Sequence, residues 1–131
     1  MKIRLIALIY IIALVAIIFI ADLEQYRHLL QPIRGIPYGD KVSHFLLMGL
    51  LSFLVNLSFS CSRAKILGLY FLKGSLIVAV IVTLEEFSQL FFKYRTFDLV
   101  DLLSDYLGIF LFGRIAYFIQ RRRFISSDKS L

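Results

Sequence analysis

The sequence predicts an all-α integral membrane bundle of four transmembrane helices, with both termini in the cytoplasm. Three observations lead to that class. Of the 131 residues, 60% are hydrophobic and the mean hydropathy is +0.82. Soluble domains are roughly 45–50% apolar, and a chain this short cannot hide the surplus in one water-excluding core, so the surplus must face lipid. Long apolar runs alternate with short polar connections, and the basic residues gather at alternate connections.

The elements follow in order. Residues 5–21 carry no charge. They would span about 25 Å as a helix, enough to cross a hydrocarbon core. Lys2 and Arg4 before them imitate a signal peptide. The run is longer than a usual signal core and no small-x-small pattern ends it, so helix 1 (about 4–21) reads as an uncleaved anchor. In the connection 22–39, Leu23, Tyr26, Leu30 and Ile33 fall at helical spacing and suggest a surface-lying segment. Pro32, Gly35, Pro37 and Gly39 then interrupt it. Helix 2 is expected over about 41–60, helix 3 over about 66–92 after the basic turn 62–65, and helix 4 over about 98–120, followed by a basic cytoplasmic tail, 121–131. No repeat is visible and no second domain fits, so 1–131 reads as one membrane domain.

Charge sets the expected orientation. One side collects Lys2, Arg4, Arg63, Lys65, Arg121, Arg122, Arg123 and Lys129; the other has Arg27, Arg34, Lys41, Lys93 and Arg95. The larger and denser set belongs in the cytoplasm, and Lys73 and Arg114 can snorkel toward it. Every acidic residue except Asp128 then falls at the outer side. The net charge of +6 is explained by this topology and by anionic headgroups, without nucleic acid. The lone Cys61 cannot form an internal disulfide and reads as a small semi-buried residue.

Polar groups from three distant segments are thus delivered to one depth. Asp40 and His44 are i, i+4 and share a face, as do Glu85 and Gln89; Glu86 lies three residues before Gln89. Lys93 and Arg95 occupy the outer turn. Asp98, Asp101, Asp105 and Gly108 form one stripe, on which Gly108 lets another helix approach closely. The depth of the Glu pair depends on the register of helix 3. A start at residue 66 puts both Glu at the interface and makes Lys73 snorkel roughly 12 Å. A start at Lys73 puts them roughly a third of the way into the membrane, where an ionised acid is costly. An intermediate register is expected, with at least one Glu turned toward Lys41, His44 or Arg95.

Asp40-Lys41-x-x-His44 on one apolar helix resembles the opening motif of the VanZ-like family. Glu86-x-x-Gln89, Arg95, Asp98/Asp101, Asp105 and Gly108 resemble its second half, so the likeness covers residues 40–113. Asp105 stands where the family usually has Asn. Gly113 falls five residues after Gly108, and Phe112 occupies the position four residues on, which weakens the expected small-residue seam. The resemblance implies a multi-pass protein of the bacterial cytoplasmic membrane, and the family's named activity is low-level resistance to the glycopeptide teicoplanin.

The function expected is therefore that of a VanZ-like envelope protein, linked to glycopeptide resistance through an outer-side site. Asp40, Lys41, His44, Glu85, Glu86, Gln89, Arg95, Asp98, Asp101 and Asp105 are its candidate ligand-binding residues. Its partners would be membrane lipids or a lipid-linked wall precursor, with cations meeting phosphate and acids orienting the cations. One alternative is an intramembrane enzyme with Glu86 as general base and His44 as its partner; no catalytic residue is assigned beyond these candidates. The other is a small transporter, which would require an oligomer. Position 90 is Leu and the second His, His28, lies in a connection, so the arrangement of CAAX-type membrane proteases is absent. No metal set is apparent at ligand spacing, and no cofactor motif appears.

Overall fold

A computed structural model gives the structure of the chain. It describes residues 2–22, 32, 35–91 and 96–128, except for the side chains of residues 21, 22 and 126–128. The surface-lying segment expected within 22–39, the residues Lys93 and Arg95, and Lys129 lie outside the described residues.

Helix α1 covers Lys2–Asp22 and α2 covers Gly39–Ser58. Strands β1 (Arg63–Ile66) and β2 (Leu69–Leu72) form a hairpin. Helix α3 covers Lys73–Ser88 and runs into a 3-10 turn, Gln89–Phe91. Helix α4 covers Leu99–Asp128. Among the described residues, four segments are long and apolar enough to cross a membrane: Lys2–Ile20, Gly39–Ser58, Lys73–Phe91 and Leu99–Ile125.

The helices bury narrow seams and leave broad apolar faces outward. Among the described side chains of α1 only Ala7 and Leu14 are buried, while Leu5, Ile9, Ile12 and Val15 are more than half exposed. Helix α2 is central: it packs along α4 and is flanked by α1 and α3. Leu14, Met48, Leu51, Val55, Val78, Val82, Leu102 and Ile109 make the core. The Tyr10 hydroxyl ties α1 to α2 by donating to the Leu47 carbonyl at 2.9 Å.

Close approach of α2 and α4 depends on Gly108. A Cβ there would strike the Phe45 carbonyl oxygen and lie 3.2 Å from the Gly49 amide nitrogen. The expected loosening of this seam by Phe112 does not occur. Its ring packs over Gly49 and stands edge-on to Phe45 at 5.8 Å, so a large side chain fills the space that a small one leaves on the facing helix.

Three expectations are corrected here. The chain is not entirely helical, because residues 63–72 form the antiparallel hairpin, pairing Arg63 with Leu72 and Ile66 with Leu69. Leu67 and Gly68 both have positive φ, 51° and 85°, as a two-residue type I′ turn needs, and Gly at the second position makes it accessible. Helix 3 therefore starts at Lys73, not near residue 66. The backbone amide of Lys73 donates to the Ser62 carbonyl at 2.9 Å, fixing that start. Helix 4 also does not stop at 120. No Gly or Pro follows Gly113, and Arg121, Arg122 and Arg123 continue the helix. Its 30 residues reach about 45 Å, beyond a hydrocarbon core of about 30 Å.

Candidate functional site

Helices α2 and α4 run parallel, and α3 runs against both. Their pairing puts the start of α2, the end of α3 and the start of α4 at one end of the bundle. The Arg63 guanidinium, 5.4 Å from the Tyr117 ring, marks the other end. This arrangement brings His44, Glu86, Asp101 and Asp105 together from sequence positions up to 61 residues apart.

Glu86 is the most unusual member. It is fully buried on α3. One carboxylate oxygen accepts the Asp98 backbone N–H at 3.0 Å, and the other accepts the Gln89 Nε2–H at 2.8 Å. Gln89 reaches it because the 3-10 turn holds that side chain, 4% exposed, back against α3. Glu86 thereby joins the end of α3 to the entry of α4. An unpaired buried carboxylate would be expensive, and these two donors, one of them a backbone dipole, reduce that cost.

Asp98 caps α4: its Oδ1 accepts the Val100 N–H at 2.8 Å and its carbonyl accepts from Asp101 and Leu102. Its other oxygen meets Lys41 Nζ at 2.8 Å, and Lys41 also donates to Asp101 at 2.8 Å. The hydrogen bond from Lys41, then that from Val100, holds the Asp98 carboxyl below the usual carboxylate range. Lys41 is thus divided between two acids.

His44 lies one turn deeper on α2. Its Nδ1 is 3.0 Å from Asp105 Oδ1, and its Nε2 is 3.9 Å from Asp101 Oδ2. Asp105 is 1% exposed, a buried acid aimed at the imidazole. Ligand atoms of His44, Glu86 and Asp105 all lie within 4.8 Å of one another. Spacing within any one helix could not reveal this set, because each member comes from a different helix.

The remaining candidates lie at the margin. Asp40 is exposed in the first turn of α2 and does not join the buried group. Glu85 is half-buried beside Gln89, with Nε2 3.4 Å from Oε2. Arg95 lies outside the described residues, so Lys41 is the cation seen beside the Glu pair's neighbours.

A second polar group, not expected as a unit, sits toward the other end. Asn56 and Ser52 are fully buried. The Asn56 amide donates to Ser75 Oγ at 2.8 Å and to the Ser52 carbonyl at 2.9 Å, while its oxygen accepts the Ser75 N–H at 3.2 Å. Ser52 donates to the Ile109 carbonyl at 3.0 Å. No buried side-chain polar atom among the described residues lacks a partner, so this group reads as an interhelical clasp. The i, i+4 spacing of Ser52 and Asn56 was its one visible signal.

Fold and site together define, among the described residues, four apolar helices with a His/carboxylate group, its Glu86 and Asp105 buried, at one end. No family model matches it, and no solved structure matches it. It is similar to an uncharacterized protein of Schizosaccharomyces pombe, 34% identical over 93 residues, covering 70% of this chain. The match covers 55% of that relative's length.

Proposed function

We propose that the chain is a VanZ-like membrane protein that binds a lipid headgroup, or a lipid-linked wall precursor, at the end carrying His44 and Glu86. In this reading both termini face the cytoplasm and the site opens on the outer side of a bacterial cytoplasmic membrane. The supporting observation is the convergence of Lys41, His44, Glu86, Asp101 and Asp105 from three helices at one end of a bundle whose outward faces are apolar. Polar groups so near an apolar surface are expensive to hold together for packing alone.

Lys41 already serves two acids. A headgroup phosphate would therefore compete with Asp98 and Asp101 for it, and a headgroup amine would meet the carboxylates directly. Native mass spectrometry of the purified protein tests the reading. A retained phospholipid or wall-precursor lipid, lost in Lys41→Met and Glu86→Gln, is the expected result. Absence of any lipid preference in the wild type, with unchanged teicoplanin sensitivity of strains carrying the two variants at equal protein level, would overturn it.

A second reading is an intramembrane hydrolase, favoured by the His44–Asp105 contact at 3.0 Å. There Asp105 would orient the imidazole and Glu86 would act as base. Turnover surviving in Glu86→Gln would exclude that role.

A further inference from the structure

We propose that His44, Glu86 and Asp105 form a site for one divalent transition ion, of the Zn2+ or Mn2+ class. Donor atoms bound to one ion at about 2.0–2.4 Å can stand no more than about 4.8 Å apart. The three groups offer atoms within 4.8 Å of one another, each from a different helix.

Charge agrees with geometry. Lys41 is held by Asp98 and Asp101, so among the described residues it does not neutralise Glu86 or Asp105. Glu86 is fully buried and Asp105 nearly so. A neutral imidazole with a doubly charged ion balances these two carboxylates where charge is poorly screened.

Donor type narrows the ion. One imidazole nitrogen with carboxylate oxygens suits Zn2+ or Mn2+, whereas Ca2+ and Mg2+ prefer all-oxygen sets. The outer groups are those that orient metal ligands. Gln89 and the Asp98 amide each donate to a Glu86 oxygen, and Asp101 lies 3.9 Å from the His44 Nε2. Three protein ligands leave coordination positions open, and a headgroup phosphate oxygen is the group that would fill one. That last step rests on the headgroup reading; the ion does not.

The test uses the full chain purified in detergent, stripped with a chelator, loaded with Mn2+ or Zn2+ and desalted. The expected result is about one ion per chain by elemental analysis. Bound Mn2+ should show nitrogen coupling in pulsed electron paramagnetic resonance, and that coupling should persist in His28→Ala and Cys61→Ser. Affinity should fall at least tenfold in His44→Ala, Glu86→Gln and Asp105→Asn. A wild type that retains no ion, or retains Mn2+ without nitrogen coupling, overturns the proposal. So do folded site variants that bind as wild type does. Should the variants unfold, the nitrogen coupling in the wild type still decides. Ion binding without lipid binding removes the headgroup reading alone, and lipid binding without an ion removes this proposal alone.

Discussion

Gly108→Ala tests the packing that assembles the site without changing a polar side chain. The new Cβ would overlap the Phe45 carbonyl oxygen and lie 3.0 Å from that carbonyl carbon and 3.2 Å from the Gly49 nitrogen. All three are backbone atoms of α2, so no side-chain rotation relieves the contact and the two helices must separate. Overpacking of this kind costs about 1–3 kcal/mol, and rigid backbone partners argue for the upper end. Ala in place of Gly within a helix returns about 1 kcal/mol. A net loss of about 2 kcal/mol is expected.

Two further glycines calibrate that figure. A Cβ on Gly49 meets the Phe112 ring at 2.7 Å. A ring can swing away, so Gly49→Ala should cost about 1 kcal/mol or less after the same helix gain. Gly68 has open space but a φ of +85°, and Ala there should cost about 1–2 kcal/mol through backbone strain. Reversible unfolding by SDS titration in mixed micelles reads all three. Separation of α2 and α4 should also weaken ligand or metal binding in Gly108→Ala, because Asp105 lies one turn from Gly108 and His44 adjoins Phe45. Wild-type stability of Gly108→Ala, or a smaller loss than in Gly49→Ala, would refute the reasoning.

Three other outcomes are expected. Glu86→Leu leaves the Asp98 N–H and the Gln89 amide without their acceptor and should cost about 2–4 kcal/mol in the same titration, against about 1 kcal/mol for Glu86→Gln. Burial pushes the Cys61 thiol above its ordinary range. Maleimide labelling near pH 7.5 should therefore be slower by on the order of tenfold in the folded protein than in SDS, and folded-state stability should decline as pH rises past the ordinary thiol range, where the unfolded chain loses its proton first. In a Cys61→Ser background, Asp40→Cys should react with an impermeant maleimide in intact cells and Arg123→Cys only after permeabilisation; the reverse pattern would invert the proposed topology.

The four apolar segments were legible because lipid leaves a compositional mark that no local preference can disguise. Boundaries were less so, and each shift has a physical cause. Residues 66–72 look like a helix by hydrophobicity, yet Leu67-Gly68 sets a turn whose pairing outweighs that pattern, and β2 carries Tyr70 and Phe71, which favour strands. The basic run Arg121–Arg123 reads as the end of α4, but nothing in residues 120–128 breaks a helix; the membrane ends where the hydrocarbon does, and the helix does not. Helical spacing is a local signal: i, i+4 marks Asp40 with His44 and Glu85 with Gln89, and i, i+3, i+7 marks Asp98, Asp101 and Asp105. The Asp98 amide on Glu86 was invisible, since a backbone donor leaves no trace in residue type.

The site's chemistry turns on Asp105. With Asn there, His44 would meet a neutral amide, and Glu86 would be the one buried acid beside the imidazole. Asp105 adds a second, 3.0 Å from Nδ1. A proton held between His44 and Asp105 offsets one charge and leaves Glu86 with two hydrogen-bond donors, whereas a divalent ion offsets both. Asp105→Asn separates these cases. If a shared proton holds the group together, the variant loses that contact and should be less stable than wild type by the same amount with or without Mn2+ or Zn2+. If an ion does, the variant should be less stable than wild type when Mn2+ or Zn2+ is present and no less stable after chelation.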